Sequence, residues 1–207
     1  MTAKKPIIGL CGGIGAGKSR VATEFERLGC LVLDSDHLNH QVLRRPEVLA
    51  TLREWWGDAV VGPAGEPDRE RIAEIVFARS GERRRLEELV HPLIAAWRWD
   101  MITAAFEDQA VKAIILDSPL LFESNLDRLC DTIVFVDASW PRRLQRLQQG
   151  RHWTAEQLRQ REQWQRPLDE KRLRSEFAIN NEGPPDRLGP QVAEILQKIV
   201  SRHTVAP

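Results

Sequence analysis

Ile7-Ile8-Gly9-Leu10-Cys11-Gly12-Gly13-Ile14-Gly15-Ala16-Gly17-Lys18-Ser19 begins as an apolar run, passes through a glycine-rich segment and ends on Lys-Ser. Residues 12–19 satisfy the pattern G-x-x-x-x-G-K-[ST]. Downstream, Val21, Phe25 and Leu28 fall at i, i+4 and i+7, which stacks them on one face of a helix ending near Gly29. The apolar run Leu31 to Leu33 follows. Strand, glycine loop, helix and strand within about 30 residues make a βαβ unit, the building block of an α/β fold. In that setting glycines allow close backbone approach, so that successive N–H groups and the start of the helix face a polyphosphate. Gly13, Ile14, Gly15, Ala16, Gly17, Lys18, Ser19 and Arg20 are the expected nucleotide contacts, though the loop alone names no particular nucleotide or activity. Lys18 would reach the β and γ phosphates, and the Ser19 hydroxyl would ligate Mg²⁺. The competing reading is a glycine turn with a chance Lys-Ser; the strand before and the helix after argue against it.

Further apolar runs at Ala113 to Leu116 and Thr132 to Val136, with a weaker one at Phe177 to Ile179, have the length and β-branched content of buried parallel strands. The interval 36–109 contains no convincing strand. It reads as helices broken at Arg45-Pro46, over 57–67, at Ser80-Gly81 and at His91-Pro92, where a helix is expected to end. Residues 141–174 are helical and rich in Arg, and a closing helix over 186–199 places Val192, Ile195 and Ile199 on one face. The expected division is a nucleotide-binding core of 1–35, 110–140 and 177–207, a helical substrate-binding insertion over 36–109 and a lid over 141–176.

Two carboxylates, Asp34 and Asp36, emerge where the second strand ends, the edge at which open α/β sheets hold ligands. A kinase acting on an alcohol needs a carboxylate to orient the hydroxyl and take its proton, and Asp36 is the candidate base. An N-cap role for the same residue stands beside that reading. Asp117 closes the third apolar run as a Mg²⁺-holding carboxylate would, and equally as a turn former before Ser118-Pro119. Arg142, Arg143, Arg146, Arg151, Arg159, Arg161, Arg166 and Lys171 could close over phosphates as a lid; for most of them a solvated helical face explains the charge as well.

Composition bounds the alternatives. The 207 residues, 42% hydrophobic, suffice for one core of ordinary size with small inserted lobes. Thirty Lys and Arg balance thirty Asp and Glu, so the chain lacks the basic bias of a surface that tracks nucleic acid. No stretch approaches the roughly 20 apolar residues of a membrane span. Cys11, Cys30 and Cys130 lie in or beside apolar runs without paired spacing, as reduced thiols of a cytoplasmic protein would. Seven Trp against no Tyr has no evident functional reading.

The chain resembles bacterial dephospho-CoA kinases over nearly its whole length. The matching strings are Gly9 to Ser19, Val32-Leu33-Asp34-Ser35-Asp36, Asp68-Arg69 with Ile75-Val76-Phe77, Leu86-Glu87, His91-Pro92, Pro119-Leu120-Leu121-Phe122-Glu123, Arg161 with Gln165, Lys171, and Ile179-Asn180-Asn181. The resemblance implies a three-layer P-loop kinase core with a five-stranded parallel sheet, a helical substrate-binding insertion and a helical lid. It implies transfer of the ATP γ-phosphoryl to the ribose 3′-hydroxyl of dephospho-CoA with Mg²⁺, the last step of coenzyme A synthesis, in the cytoplasm. The implied partner is that small molecule alone, with no nucleic acid, membrane or obligate protein partner. By position, Asp36, Lys18 and Arg146 become catalytic, and Asn181 lies near the adenine end of the ATP site. Asp36, Arg69, His91, Leu120 and Arg161 become substrate contacts, and Ser19 and Asp117 metal ligands.

Three departures stand out. Arg20 occupies the place of a usual Thr, Gly150-Arg151 that of the lid's Arg-Asp, and Ser175-Glu176 that of an Ala-Asp before the last strand. A nucleotide-gated switch is the rival of another class, but the Asn-Lys-x-Asp string of guanine-specific switches does not occur. A kinase of the same architecture with another acceptor is separated from this reading only by the family strings.

Overall fold

The computed structural model describes residues 5–205. Five strands, β1 (Ile7–Gly12), β2 (Leu31–Asp34), β3 (Ile114–Asp117), β4 (Thr132–Asp137) and β5 (Phe177–Asn180), form one sheet in the order β2-β3-β1-β4-β5. Every pairing is parallel. β1 is central and all six of its residues are buried, which explains why its sequence is a continuous apolar run rather than an alternation. The register sets Leu10 of β1 beside Asp117 of β3, and Asp117 beside Asp34 of β2, so two carboxylates end neighbouring strands at the sheet's C-terminal edge.

The chain divides into two compact units. The first comprises residues 1–34 and 104–207 and holds the whole sheet. Its core joins sheet residues Ile8, Leu10, Ile115, Val134 and Val136 to Phe25 of α1 (Lys18–Arg27) and to Val192, Ile195 and Ile199 of α9 (Leu188–Val205). The stripe Val21, Phe25, Leu28 faces this core as its spacing requires, and Gly29 follows with φ +88°. The Arg-rich region forms α6 (Trp140–Arg151), α7 (Ala155–Glu162) and α8 (Leu168–Leu173). Ser139 caps α6, and Thr154 with Gln157 forms a capping box on α7.

A buried ion pair ties the segment after β3 to α8. Lys171 is 1% exposed; its Nζ lies 3.1 Å from Glu123 Oε1 and 3.0 Å from Gln165 Oε1. Glu123 Oε1 also accepts the Arg166 backbone N–H at 2.7 Å. Burial alone would raise the Glu123 carboxyl, but the Arg166 and Glu123 backbone N–H groups and Lys171 hold it below its ordinary value. Its contribution to stability is therefore present above the unfolded-state pKa and is lost as pH falls through the lower folded-state one. Lys171→Met takes the cation from a partly buried carboxylate that keeps its backbone N–H bonds, and the expected loss in urea unfolding near neutral pH is about 1–3 kcal/mol. That loss should shrink in acid, where the protonated Glu123 needs no cation. An equal loss at all pH values would assign the effect to packing instead.

The second unit, residues 35–103, contains α2 (Ser35–Leu43), α3 (Pro46–Trp56), α4 (Arg69–Ala78) and most of α5 (Ser80–Glu107). It is helical as expected, apart from a single bridge between Val61 and Pro67. Leu38, Val42, Val48, Leu52, Val60, Ile72, Val90 and Ile94 form its own core.

One expectation fails here. His91-Pro92 does not end a helix, because α5 runs through it for 28 residues. Proline removes an N–H and crowds the carbonyl four residues back, at a cost of about 3 kcal/mol. Leu86, Leu89, Val90, Leu93, Ile94, Trp97 and Met101 nevertheless form one apolar stripe across position 92, and all pack into the core. His91 and Pro92 themselves are exposed, so the proline takes the solvent side of the helix, where bending is tolerated.

The tryptophans acquire a structural role. Trp140 lies 5.4 Å from the Arg143 guanidinium and 5.6 Å from that of Arg159. Trp153 lies 4.1 Å from Arg161 and 5.5 Å from Arg151, while Arg85 stands 3.8 Å over Trp55. Indole faces are the best cation–π acceptors, so they fix arginines that would otherwise sample many rotamers.

Candidate active site

The loop between β1 and α1 is built so that its amides, not side chains, present to a ligand. Gly17 is the N-cap of α1 with φ +90°, a left-handed geometry natural to glycine. A Cβ at that position would sit 2.4 Å from Asn181 Nδ2. Having no side chain, Gly17 offers no cap to the first-turn N–H groups, and no acidic residue occupies that turn. A helix start left this way, with its positive dipole end, favours an anion.

The orientation of the loop is enforced from behind. Ala16 O accepts hydrogen bonds from Arg146 Nη1 at 3.0 Å and Asn181 Nδ2 at 2.7 Å. Arg146 Nη2 donates to Asn181 O at 2.6 Å, and Asn181 N donates to Asp137 O at 2.8 Å, which anchors the cluster to β4. In a trans peptide C=O and N–H point in opposite directions. Drawing the Ala16 carbonyl toward Arg146 and Asn181 therefore turns the Gly17 N–H to the opposite side. Lys18 Nζ lies over the loop, 3.3 Å from Gly12 O and 3.4 Å from Gly13 O.

Positive charge gathers at this spot. Burial, followed by the neighbouring Arg142 and Arg20 guanidinium groups, lowers the Arg146 pKa, with Glu182 acting in the opposite sense. Like charges held this close repel one another, and a polyanion would relieve that repulsion. Glu182 is itself held below its ordinary value, first by the Ser139 backbone N–H. Beside Asn181 a hollow of about 400 Å³ opens between Asn180, Glu182, Pro184, Arg187 and Gln191. Gln191 braces it, with Oε1 accepting the Asn180 N–H at 3.1 Å and Nε2 donating to Asn180 O at 3.1 Å.

The first unit thus brings together Gly13 to Ser19, Arg146 and Asn181, with Asp117 in register beside Leu10. Ser19 and Arg20 are exposed on the first turn of α1, and Asp117 is 6% exposed. Leu120, 43% exposed, lies in the turn after β3. Arg161 of α7 rests on the ring of Trp153, which precedes that helix. Asp36, Arg69 and His91 belong to the second unit. Asp36 is exposed in the first turn of α2, Arg69 is the exposed first residue of α4 behind the Asp68 cap, and His91 is exposed on α5. Among the described residues no three His, Cys, Asp or Glu side chains cluster as a metal cage.

Sequence reasoning named Arg143 only among the lid cations, and it gave no site role to Glu162 or Gln191. A signal for Arg143 existed: it stands four residues before the buried Leu147 of α6, so it shares the inward face of that helix.

A dephospho-CoA kinase family profile matches residues 6–186. The dephospho-CoA kinase of Thermobifida fusca is 34% identical over 196 residues, covering 94% of this chain and 96% of that protein. The dephospho-CoA kinase of Arabidopsis thaliana is 34% identical over 198 residues, covering 93% of this chain and 83% of that protein. A solved structure from Thermus thermophilus superposes with a TM-score of 0.79 at 29% identity, covering 94% of this chain and 97% of that one. A shikimate kinase from Acinetobacter baumannii, TM-score 0.51 at 20% identity, covering 97% of this chain and 96% of that one, shares the fold. A phosphate-type loop at the centre of a five-stranded parallel sheet, and strings matched across nearly all of the chain, agree: the chain belongs to the dephospho-CoA kinase family.

Proposed function

We propose that this protein transfers the γ-phosphoryl group of ATP to the ribose 3′-hydroxyl of 3′-dephospho-coenzyme A, giving coenzyme A and ADP. Phosphoryl transfer from ATP is supported by the uncapped start of α1 behind a loop whose Ala16 carbonyl is pulled back by Arg146 and Asn181, and dephospho-CoA as acceptor is supported by the family to which the chain belongs. That arrangement supplies preorganised donors to a triphosphate with little reorganisation at the moment of transfer.

In this reading Gly13 to Ser19 hold the phosphates and Lys18 follows the charge that grows on the β–γ bridge as that bond breaks. Arg20, Arg142 and Arg146 offset the remaining negative charge. Asp36 orients the 3′-hydroxyl and takes its proton as the new O–P bond forms, and the electron pair of the broken bond leaves with ADP. Arg69, His91, Leu120 and Arg161 bind dephospho-CoA, and the hollow beside Asn181 receives the adenine of ATP. Mg²⁺ is ordinarily held by one or two carboxylates together with phosphates and water rather than by a protein-only cage. The Ser19 hydroxyl with Asp117, and with Asp34 next to it in register, is a donor set of that kind. Bound there with ATP, the ion would neutralise phosphate charge. The three thiols, none of them in a disulfide, fit the reducing cytoplasm.

The test is ADP release from ATP and Mg²⁺ with dephospho-CoA, adenosine, AMP and shikimate in parallel. Turnover that depends on dephospho-CoA, and is weak or absent with the others, is expected. Preference for another acceptor would keep the kinase and refute the substrate, and absence of acceptor-dependent turnover would refute both.

A further inference from the structure

Arg143 belongs to α6, yet it is only 3% exposed. Its Nη1 donates to the Ile14 carbonyl at 3.0 Å and to the carboxylate of Glu162, the last residue of α7. A Cβ on Gly13 would come within 2.7 Å of that same nitrogen and 2.9 Å of Cζ, so any side chain at residue 13 would push the guanidinium out of this place. Arg143 Nε is buried and has no hydrogen-bond partner among the described residues. An unsatisfied buried donor costs stability, and an apolar side chain at 143 would avoid that cost. What an apolar side chain could not do is donate to Ile14.

The Ile14–Gly15 peptide obeys the same geometry as Ala16–Gly17. With the Ile14 carbonyl drawn to Arg143, the Gly15 N–H turns to the opposite side. Two alternate peptides of the loop are thus oriented from α6, one by Arg143 and one by Arg146 with Asn181. Glu162 supplies the counter-charge without which the buried guanidinium would be uncompensated, and it fixes the rotation of the fork.

We infer that Arg143, held by Glu162, is a positioning residue that presets the Ile14–Gly15 peptide for the phosphates of ATP, so that the placement of α7 is coupled to nucleotide affinity. The inference rests on the reading of the loop as the ATP site. It does not depend on which alcohol is phosphorylated.

The experiment combines calorimetric ATP binding with steady-state kinetics in which ATP and dephospho-CoA are varied separately. It uses the full chain carrying Arg143→Met, Arg143→Lys, Glu162→Gln, or Arg143→Met with Glu162→Gln, with circular dichroism as the check on folding. Arg143→Met is expected to raise the Kd and KM for ATP by about tenfold or more, with the KM for dephospho-CoA within about twofold. Arg143→Lys should recover part of the loss, because an ammonium can still donate to Ile14. Glu162→Gln should weaken ATP binding in the parent and add nothing in the Arg143→Met background, because it acts through Arg143. A folded Arg143→Met enzyme with unchanged ATP affinity, equal losses for both substrates, or additive losses in the double variant would overturn the inference. If Arg143→Met does not fold, unchanged ATP affinity in both Arg143→Lys and Glu162→Gln overturns it instead. Binding needs no acceptor, so a parent enzyme that binds ATP but ignores dephospho-CoA refutes the acceptor alone.

Discussion

Asp36→Asn is expected to lower kcat by about 10²-fold or more while ATP binding stays close to that of the parent, a barrier increase of about 2.7 kcal/mol. The amide keeps the size of the side chain but cannot take a proton, and it holds the hydroxyl less firmly. The proposed phosphate cradle lies on other residues, Gly13 to Ser19 with Arg146 and Asn181, so the Kd for ATP is the internal control. Asp36 sits exposed in the first turn of α2, two residues beyond the register pair Asp34–Asp117. Pre-steady-state transfer measured alongside ATP binding separates chemistry from affinity. A variant with near-normal kcat would remove Asp36 from the reaction and leave it a residue of the helix start.

Lys18→Ala should produce a loss of similar or greater size, about 10²–10³-fold in kcat, accompanied by weaker ATP binding. Its ammonium lies over the loop near Gly12 O and Gly13 O, a short swing from any group bound against the Gly15 and Gly17 amides. A point charge at the β–γ bridge acts most strongly as charge accumulates there, so the larger effect belongs in kcat and the smaller in KM. Lys18→Arg should not restore the rate, because the planar fork is bulkier and cannot take the place of a compact ammonium. Unchanged single-turnover rates in Lys18→Ala would contradict the assigned contact.

How much of this was legible beforehand depends on how local each cause is. β1, the loop and α1 are encoded within one short stretch, and the fully buried central strand reads as an apolar run because both of its faces are covered. β5 reads more weakly since it is an edge strand, with only Ile179 fully buried. Pro92 misled because a local rule about proline was weighed without the apolar stripe from Leu86 to Met101, whose packing carries α5 through it. The strand–loop–helix setting of the loop was readable, but its supports were not. Arg146 reaches Ala16 across 130 positions of chain and Asn181 across 165, separations at which composition shows a charge or an amide and nothing of where it points. The same holds for Lys171 and Glu123: both stood out as family strings, but their pairing appears only once the segment after β3 meets α8. Two of the seven tryptophans, opaque as composition, become ring faces that steady arginines, Trp140 for Arg143 and Arg159 and Trp153 for Arg151 and Arg161.

The most direct test follows the γ-phosphoryl group itself, by incubating the enzyme with ATP labelled at that position, Mg²⁺ and either dephospho-CoA or its 3′-deoxy analogue. Label is expected on the 3′-oxygen of coenzyme A, matched one for one by ADP, and none on the analogue. Label released as inorganic phosphate at the same rate with either acceptor, or with no acceptor, would contradict the transfer.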